Sequence, residues 1–308
     1  MRIHHHWNGV APSDRGASVA MGNFDGVHLG HQAVIDLARK ADAPLGIVTF
    51  EPHPRQFFAP DAPPFRLMNA EARTHRLEKL GVAQLYELPF DAALAGMEAE
   101  TFVAEVLVGG LGIAHVTVGS DFCFGRGRKG DVGTLRDAGR RHGFGVTIAD
   151  LVAQDGEEIS STAIRTALSD GRPRDAARML GHWHRIEGAV LHGDKRGKDL
   201  GFPTANMSVE GLHLPRLGVY AVKVDVLTGP HRGSHDGAAS LGVRPMFGEN
   251  QPNLETHIFD FAGDLYGEHL SVALIDFLRP EMTFDGLPAL IAQMNADCDR
   301  ARDILAAL

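Results

Sequence analysis

The chain has 308 residues, 44% hydrophobic and 22% charged, which suits an ordinary globular protein long enough for two domains, each with its own core. Its 30 Lys plus Arg against 39 Asp plus Glu give a formal net charge of −9, which argues against a general nucleic-acid or anionic-membrane binder. An anionic ligand must therefore be met locally. No segment approaches the ~20 uncharged apolar residues of a bilayer-spanning helix. The N-terminus, Met1-Arg2-Ile3-His4-His5-His6-Trp7, lacks the apolar stretch of a secretory signal, so a cytoplasmic protein is expected. Cys123 and Cys298 fall short of a disulfide framework or a zinc site and are expected as small buried thiols. His4, His5 and His6 are expected to be exposed and idle.

Ser18-Val19-Ala20-Met21 is short and β-compatible, and Ala33, Val34, Leu37, Ala38 and Ala41 recur at helical spacing. The run Gly22-Asn23-Phe24-Asp25-Gly26-Val27-His28-Leu29-Gly30-His31 between them thus sits on a strand-to-helix turn. There, unpaired helix amides and the positive end of the macrodipole favour an anion, and Gly22, Gly26 and Gly30 let ligand and backbone approach closely. His28 and His31 lie one helical turn apart and can face one bound phosphate. The same spacing also serves half a metal site, or capping and packing. Strands over 45–50, 115–118 and 145–149 alternate with helices over 70–80, 99–108 and 133–142, a rhythm of βαβ units and a parallel sheet. Ligands of such a sheet bind at the carboxyl ends of its strands, where the loops after Met21 and Val118 lie. In Ile159-Ser160-Ser161-Thr162-Ala163-Ile164-Arg165, three hydroxyls open a predicted helix and an arginine follows one turn later. Hydroxyls, amides and a guanidinium suit phosphate oxygens, although such a run also serves as an N-cap. The glycine-rich basic clusters at 126–129 and 195–198 offer either local anion contacts or solvated loop charge.

Beyond Leu180 the pattern changes to strands over 185–191, 218–226, 237–243, 253–261 and 269–278, mostly antiparallel. Leu287, Leu290, Ile291, Met294, Cys298, Ala301, Ile304 and Leu305 then mark an amphipathic helix that covers a face of this small barrel. Arg172-Pro173 starts a connector, and the domains are expected at 1–181 and 182–308. The segment from Gly193 to Asn206 joins a basic glycine loop to hard oxygen donors, a combination suited to Mg-ATP. Thr204 and Asn206 alternate along an extended stretch and can leave one face to reach one metal ion, while Pro203-Thr204-Ala205-Asn206 also reads as a turn. It is not a Walker A loop, because no Ser or Thr follows Lys198.

The His-x-x-His and Ser/Thr-rich strings together resemble the nucleotidylyltransferase superfamily. With Thr49-Phe50-Glu51-Pro52-His53-Pro54, Gly119-Ser120-Asp121-Phe122 and Phe124-Gly125, they look like the adenylyltransferase module of bacterial bifunctional riboflavin kinase/FAD synthetases. Gly201-Phe202-Pro203-Thr204-Ala205-Asn206, Gly218-Val219-Tyr220, Leu241-Gly242-Val243-Arg244-Pro245, Leu254-Glu255-Thr256-His257 and Gly263-Asp264-Leu265-Tyr266-Gly267 resemble riboflavin kinases in family order. The resemblance implies a Rossmann-like parallel-sheet domain followed by a barrel with a terminal helix. It also implies two activities: riboflavin plus ATP gives FMN in the C-terminal domain, and FMN plus ATP gives FAD and pyrophosphate in the N-terminal one. By it, His28 and His31 donate to the triphosphate, and Gly22, Phe24, Asp25, Gly26 and Gly30 form the nucleotide loop. Ser161, Thr162 and Arg165 hold the β and γ phosphates with Mg²⁺, and Asp121 with Phe122 positions the flavin phosphate or ribose. In the kinase half, Thr204 and Asn206 bind Mg-ATP together with Gly193, Lys195 and Arg244, and Glu255 is the general base. Glu158, Cys123, Ser240 and Met246 depart from the family pattern. Two other readings compete: a nucleotidyltransferase for another phosphate ester with an accessory barrel, and a flavin-binding sensor without turnover.

Overall fold

The computed structural model describes residues 1–150, 153–154, 157–192, 200–246 and 249–308; the strand residues 153–154, 157–158, 244–246 and 249–251 are described by backbone alone. The chain divides into two compact units, one of residues 1–63 and 73–159 and the other of 64–72 and 160–308.

The first unit contains β1 (Arg2–His4), β2 (Ser18–Met21), α1 (Leu29–Leu37), β3 (Leu45–Glu51), α2 (Pro54–Phe58), most of α3 (Ala70–Lys79), β4 (Gln84–Pro89), α4 (Ala92–Ala95), α5 (Ala99–Thr101), β5 (His115–Gly119), α6 (Val132–His142) and β6 (Gly145–Ala149). Its sheet runs β1-β4-β3-β2-β5-β6, and every pairing is parallel. From β2 the chain moves one way to β3 and β4, then returns to the other side of β2 for β5 and β6. The strand order therefore reverses at β2, and loops leaving β2 and β5 diverge to open a crevice there. Val19, Val48, Val116 and Val118 are wholly buried, as expected of a sheet covered on both faces.

Three parts of this unit differ from the expectations. His4 is not idle: β1 pairs along β4, and the His4 ring stacks 5.1 Å from Tyr86 and bonds Gln84 at 2.9 Å. The helix expected over 99–108 is α5 followed by a π-wound stretch, Phe102–Leu111. Its widened end is tied by Arg15, which donates to the carbonyl of Val108 at 3.1 Å, and is closed by Gly112 at φ 58°. Cys123 is partly exposed and not fully buried, as is Cys298 of the second unit.

The short pair β7 (Ala153–Gln154) and β8 (Glu157–Glu158) closes the first unit. The second unit adds α7 (Ser161–Ser169), α8 (Pro173–Leu180), β9 (Arg185–Ala189), β10 (Ala205–Ser208), β11 (Gly218–Val226), β12 (Gly233–Met246), β13 (Glu249–Ile258), β14 (His269–Arg279) and α9 (Leu287–Ala306). Its antiparallel sheet runs β10-β13-β12-β11-β14-β9, and a bridge from Leu191 to Asn206 links the two ends. The result is a nearly closed barrel. Alternation assigns the faces: Met207, Leu254, Leu241, Tyr220 and Leu274 fill the interior, while Val219, Ala221, Ala273 and Ile275 face outward under Ala301 and Leu305 of α9. Where a connector was expected from Arg172-Pro173, α8 forms, with Pro at its first turn and Gly181 closing it at φ 71°. Leu67 packs with Ile164, Leu168, Ala176 and Leu180, which groups 64–72, α7 and α8 with the barrel, whereas the expected division lay at 181/182.

His184, between α8 and β9, is 3% exposed. Burial first, then the neighbouring His182 and His213, pulls its imidazole from 6.5 to about 3. Because the folded value is the lower one, the unfolded chain takes up the proton first; stability from the neutral ring is complete above about pH 6.5 and drains away toward pH 3. In a Trp7→Phe protein, Trp183 fluorescence reports the second unit alone. Its urea midpoint is expected to fall across this window, and His184→Gln to flatten the fall by on the order of a few kcal/mol. An identical pH slope in the variant refutes the assignment.

Candidate active sites

In the first unit, the run from Gly22 leaves β2 at the crevice. Its path is anchored by Gly22 N–H to the Val48 carbonyl at 3.1 Å and Thr49 Oγ1 to the Asn23 carbonyl at 3.3 Å. Phe24, Gly26 and Val27 all take positive φ, at 52°, 86° and 42°. Phe24 and the β-branched Val27 store strain of roughly 1–3 kcal/mol each, of the kind that persists where surroundings over-determine the backbone. Phe24 and Val27 are buried and lock the loop from beneath, whereas Asn23 is exposed. His28 is the N-cap of α1: its Nδ1 accepts the His31 N–H at 3.3 Å, which leaves Nε2 to carry the ring proton. The rings of His28 and His31 stack with centroids 3.7 Å apart. His31 Nδ1 is buried with no hydrogen-bond partner, and burial, then the His28 charge, holds this imidazole well below its usual value. A buried polar atom without a partner is uncommon in a folded protein and marks this helix start as unusual. A Cβ on Gly30 would stand 3.1 Å from the His28 ring and 3.7 Å from the Ile159 carbonyl, so glycine permits this approach.

Asp121 is exposed on the turn after β5, beside β2. The same edge carries features that the sequence did not announce. Phe58, 68% exposed, belongs to a string of rings: Phe57 and Phe58 lie 5.5 and 5.8 Å from Phe90, which lies 5.7 Å from Phe50. Phe102, Phe124 and Phe122 continue it. Beneath, Arg73, 1% exposed, donates to Glu51 at 2.8 Å and Glu87 at 2.6 Å and so ties the carboxyl end of β3 to β4. The signal available was an arginine amid a polar helix, which looks no different from a solvated one.

Ser161, Thr162 and Arg165 open α7 of the second unit. Ser160 caps the helix by accepting the Ala163 N–H at 3.2 Å, and Ser161 and Thr162 occupy its first turn. Arg165 Nε donates to the Phe65 carbonyl at 2.6 Å and its guanidinium lies over the Phe65 ring at 5.4 Å. Gly193 and Lys195 lie outside the described residues, and of Arg244 only the backbone, paired with Gln251, is described.

On the barrel, Asn206 and Ser240 are the register partners of Glu255 on its two sides. All three share the outward face, because their neighbours Ala205, Leu241 and Leu254 point into the core. Two cavities meet here. One, about 180 Å³, lies between this face and α9, lined by Ser240, Glu255, Arg279, Phe284, Leu290 and Met294, among others. The other, about 610 Å³, is lined by Asn206, Thr256, Phe261, Asp264 and Tyr266, among others. Thr204 lines both. In the smaller cavity Arg279 is fixed by a two-pronged ion pair with Asp297 of α9, at 3.0 and 2.8 Å from one carboxylate oxygen, and Gln293 donates to the other at 2.9 Å. Cys298 borders the same cavity, and burial, then Asp297, lifts its thiol to about 11, which keeps it protonated.

A parallel sheet with a histidine-capped turn at its switch point, followed by an antiparallel barrel with paired cavities, suits a two-unit nucleotide-dependent transferase. The FAD synthetase family model matches residues 10–163 and the riboflavin kinase model residues 180–305. The chain is 43% identical over 303 residues to the bifunctional riboflavin kinase/FMN adenylyltransferase of Pseudomonas fluorescens, with 96% of each covered. It is 39% identical to the protein of the same name from Escherichia coli K12, covering 95% of this chain and 94% of that one. A crystal structure of a macrolide-efflux protein from Streptococcus pneumoniae shares the fold over 98% of each chain, at 30% identity and a TM-score of 0.82. The chain belongs to the bifunctional riboflavin kinase/FMN adenylyltransferase family. No helix among the described residues is long and apolar enough to cross a membrane.

Removing Arg73 would leave the carboxylates of Glu51 and Glu87 facing each other without their shared cation. Arg73→Met is expected to destabilise the first unit by about 3–5 kcal/mol, and Arg73→Lys by less, because it keeps the charge but not the fork. Urea unfolding followed through Trp7 measures both. Equal stability of wild type and Arg73→Met would show the tie to be dispensable.

Proposed function

We infer that the chain makes FAD in two ATP-dependent steps, phosphorylating riboflavin to FMN in the barrel and adenylylating FMN in the parallel-sheet unit. The functional domains are taken as 182–308 and 1–181, the protein as cytoplasmic, and its partners as riboflavin, FMN and ATP. The observation that carries the kinase step is Thr204, shared by two cavities of which one is bordered by Glu255 and the other by Asn206. The apolar walls of the smaller cavity, Val219, Ala238, Leu290 and Met294, suit an isoalloxazine ring, and the larger has room for a nucleotide.

In this reading the ribityl hydroxyl oxygen attacks the γ-phosphorus as the bond to the β-phosphate oxygen breaks, and Glu255 accepts the hydroxyl proton. The donors at the junction suit a hard divalent cation: Thr204 offers a hydroxyl oxygen and Asn206 an amide oxygen, while the nearby His257 imidazole is turned to the Pro203 carbonyl, 2.9 Å from its Nδ1. When bound there, Mg²⁺ neutralises phosphate charge. Thr204 and Asn206 hold the nucleotide end in line with Glu255. In the first unit, an FMN phosphate oxygen attacks the α-phosphorus and pyrophosphate leaves. The buried face of His31 and the amides of α1 meet the charge that moves to the leaving group, and Gly22, Gly26 and Gly30 let the phosphates approach the backbone. The exposed Phe58, with Phe57 and Phe90 packed edge-on beside it, offers apolar contact for the flavin, and Asp121 a polar border. Ser161, Thr162 and Arg165 are assigned to the β and γ phosphates by the same reading.

The test incubates the full chain with riboflavin, ATP and Mg²⁺ and resolves riboflavin, FMN and FAD by chromatography. Glu255→Gln is expected to cut FMN formation at least about 100-fold while FMN is still converted to FAD, and His31→Ala to do the reverse. Loss of both steps in both variants would sink the two-site assignment. Flavin binding without turnover by the wild type would identify a sensor.

A further inference from the structure

Asn253 lies on β13 two residues before Glu255, so both side chains stand on the outward face of the barrel. It is 7% exposed. Its Nδ2 is 3.2 Å from Oδ1 of Asn206 and 3.4 Å from Oε1 of Glu255. An ionised carboxylate only accepts hydrogen bonds, so Glu255 requires Asn253 to present its NH₂ group, not its oxygen. The second hydrogen of that group then goes to the carbonyl oxygen of Asn206. One buried amide thus sets the rotation of two others: it turns Glu255 along the strand and fixes which end of the Asn206 amide is oxygen. It does so across β10 and β13, where Asn206 and Glu255 are direct register partners. The Asn206 oxygen keeps a second lone pair for a cation.

We propose that Asn253 is a positioning residue of the phosphoryl-transfer site, holding the base Glu255 and the oxygen of Asn206 in one fixed relation. The proposal rests on the kinase reading above. It assigns Asn253 no contact with substrate; its whole effect passes through the two residues it bonds. Groups of this kind, one step removed from a ligand, typically alter affinity or activity 10–100-fold when replaced. Filling space is the alternative role, and a leucine, which has the same branching and no donor, separates the two.

Asn253→Leu in the full chain is expected to lower kcat for FMN formation about 10–100-fold with KM for riboflavin within about twofold. Its affinity for Mg-ADP, measured by calorimetry without turnover, is expected to fall about tenfold. Conversion of FMN to FAD in the same sample stays at the wild-type rate, and an unchanged urea midpoint by Trp183 fluorescence in the Trp7→Phe background certifies that the barrel is folded. Asn253→Ser keeps one donor and falls between the two. Wild-type kcat and Mg-ADP affinity in Asn253→Leu would overturn the proposal. If Asn253→Leu does not fold, Asn253→Ser decides: a selective loss of kinase kcat and Mg-ADP affinity supports it, and no loss overturns it. A wild type that forms no FMN refutes the kinase reading, while the Mg-ADP comparison still reports on the Asn253 geometry.

Discussion

The reversal of strand order at β2 is the constraint from which the first unit follows. A parallel sheet sends every strand's carboxyl end to one edge, and only at the reversal do neighbouring loops part enough to admit a ligand. Filling that gap with a turn tight enough to enter α1 at Leu29 forces three positive φ angles within four residues, Phe24 to Val27. Buried Phe24 and Val27 hold the turn by packing, so the strain is sustained by the core and not by a ligand. The amides at the start of α1 are then aimed in advance. His28, not a hydroxyl residue, caps the helix, and this is what brings its ring flat against His31.

The barrel reaches a comparable result through alternation. Each core residue on β10, β12 and β13 obliges its neighbour to face out, and α9 covers that outer face only where small or apolar residues allow close packing, near Ala221 and Ala273. Toward its N-terminus the helix stands off, leaving a cavity bordered by Leu290 and Met294. The ion pair of Arg279 with Asp297 bridges this edge. Both partners are largely enclosed, with side chains 15% and 9% exposed, so the geometry depends on keeping the pair intact.

Much of this was legible in the sequence because it rests on local rules. The strand-turn-helix at Gly22, the alternation along β11 and β14, and the apolar stripe of α9 each follow from spacing within a few residues. What escaped has non-local causes. Pro173 read as a break because the helix it opens is held through Ala176 and Leu180, which cluster with Leu67 about a hundred positions earlier. β1 was hidden in a histidine run whose pairing with β4 depends on Gln84 and Tyr86. Ordinary apolar residues of 102–111 gave no sign of π winding, which is tied at its far end by Arg15. Asn253 read only as the first residue of the strand over 253–261; register and side-chain contacts place it beside Asn206 and Glu255. The division near 181 followed a change of rhythm, whereas packing groups α7 and α8 with the barrel.

A chain of net charge −9 that handles polyanions must gain attraction without relying on its overall field. At the proposed first site, burial first and His28 second hold the His31 imidazole toward its uncharged form, so His31 would meet a phosphate as an oriented dipole and not as a cation with its hydration shell. An oriented N–H costs nothing to reorganise when a phosphate enters, whereas a solvated ammonium must first shed water. The unpaired Nδ1 of His31 carries the corresponding cost in the empty protein, of the order of 1–3 kcal/mol for a buried polar atom without a partner. A bound anion that satisfies this region recovers that energy as affinity. On the proposed reading, the strain in the Phe24 to Val27 turn and the orphaned imidazole nitrogen would be two parts of one device, a site kept rigid and unsatisfied by the core beneath it.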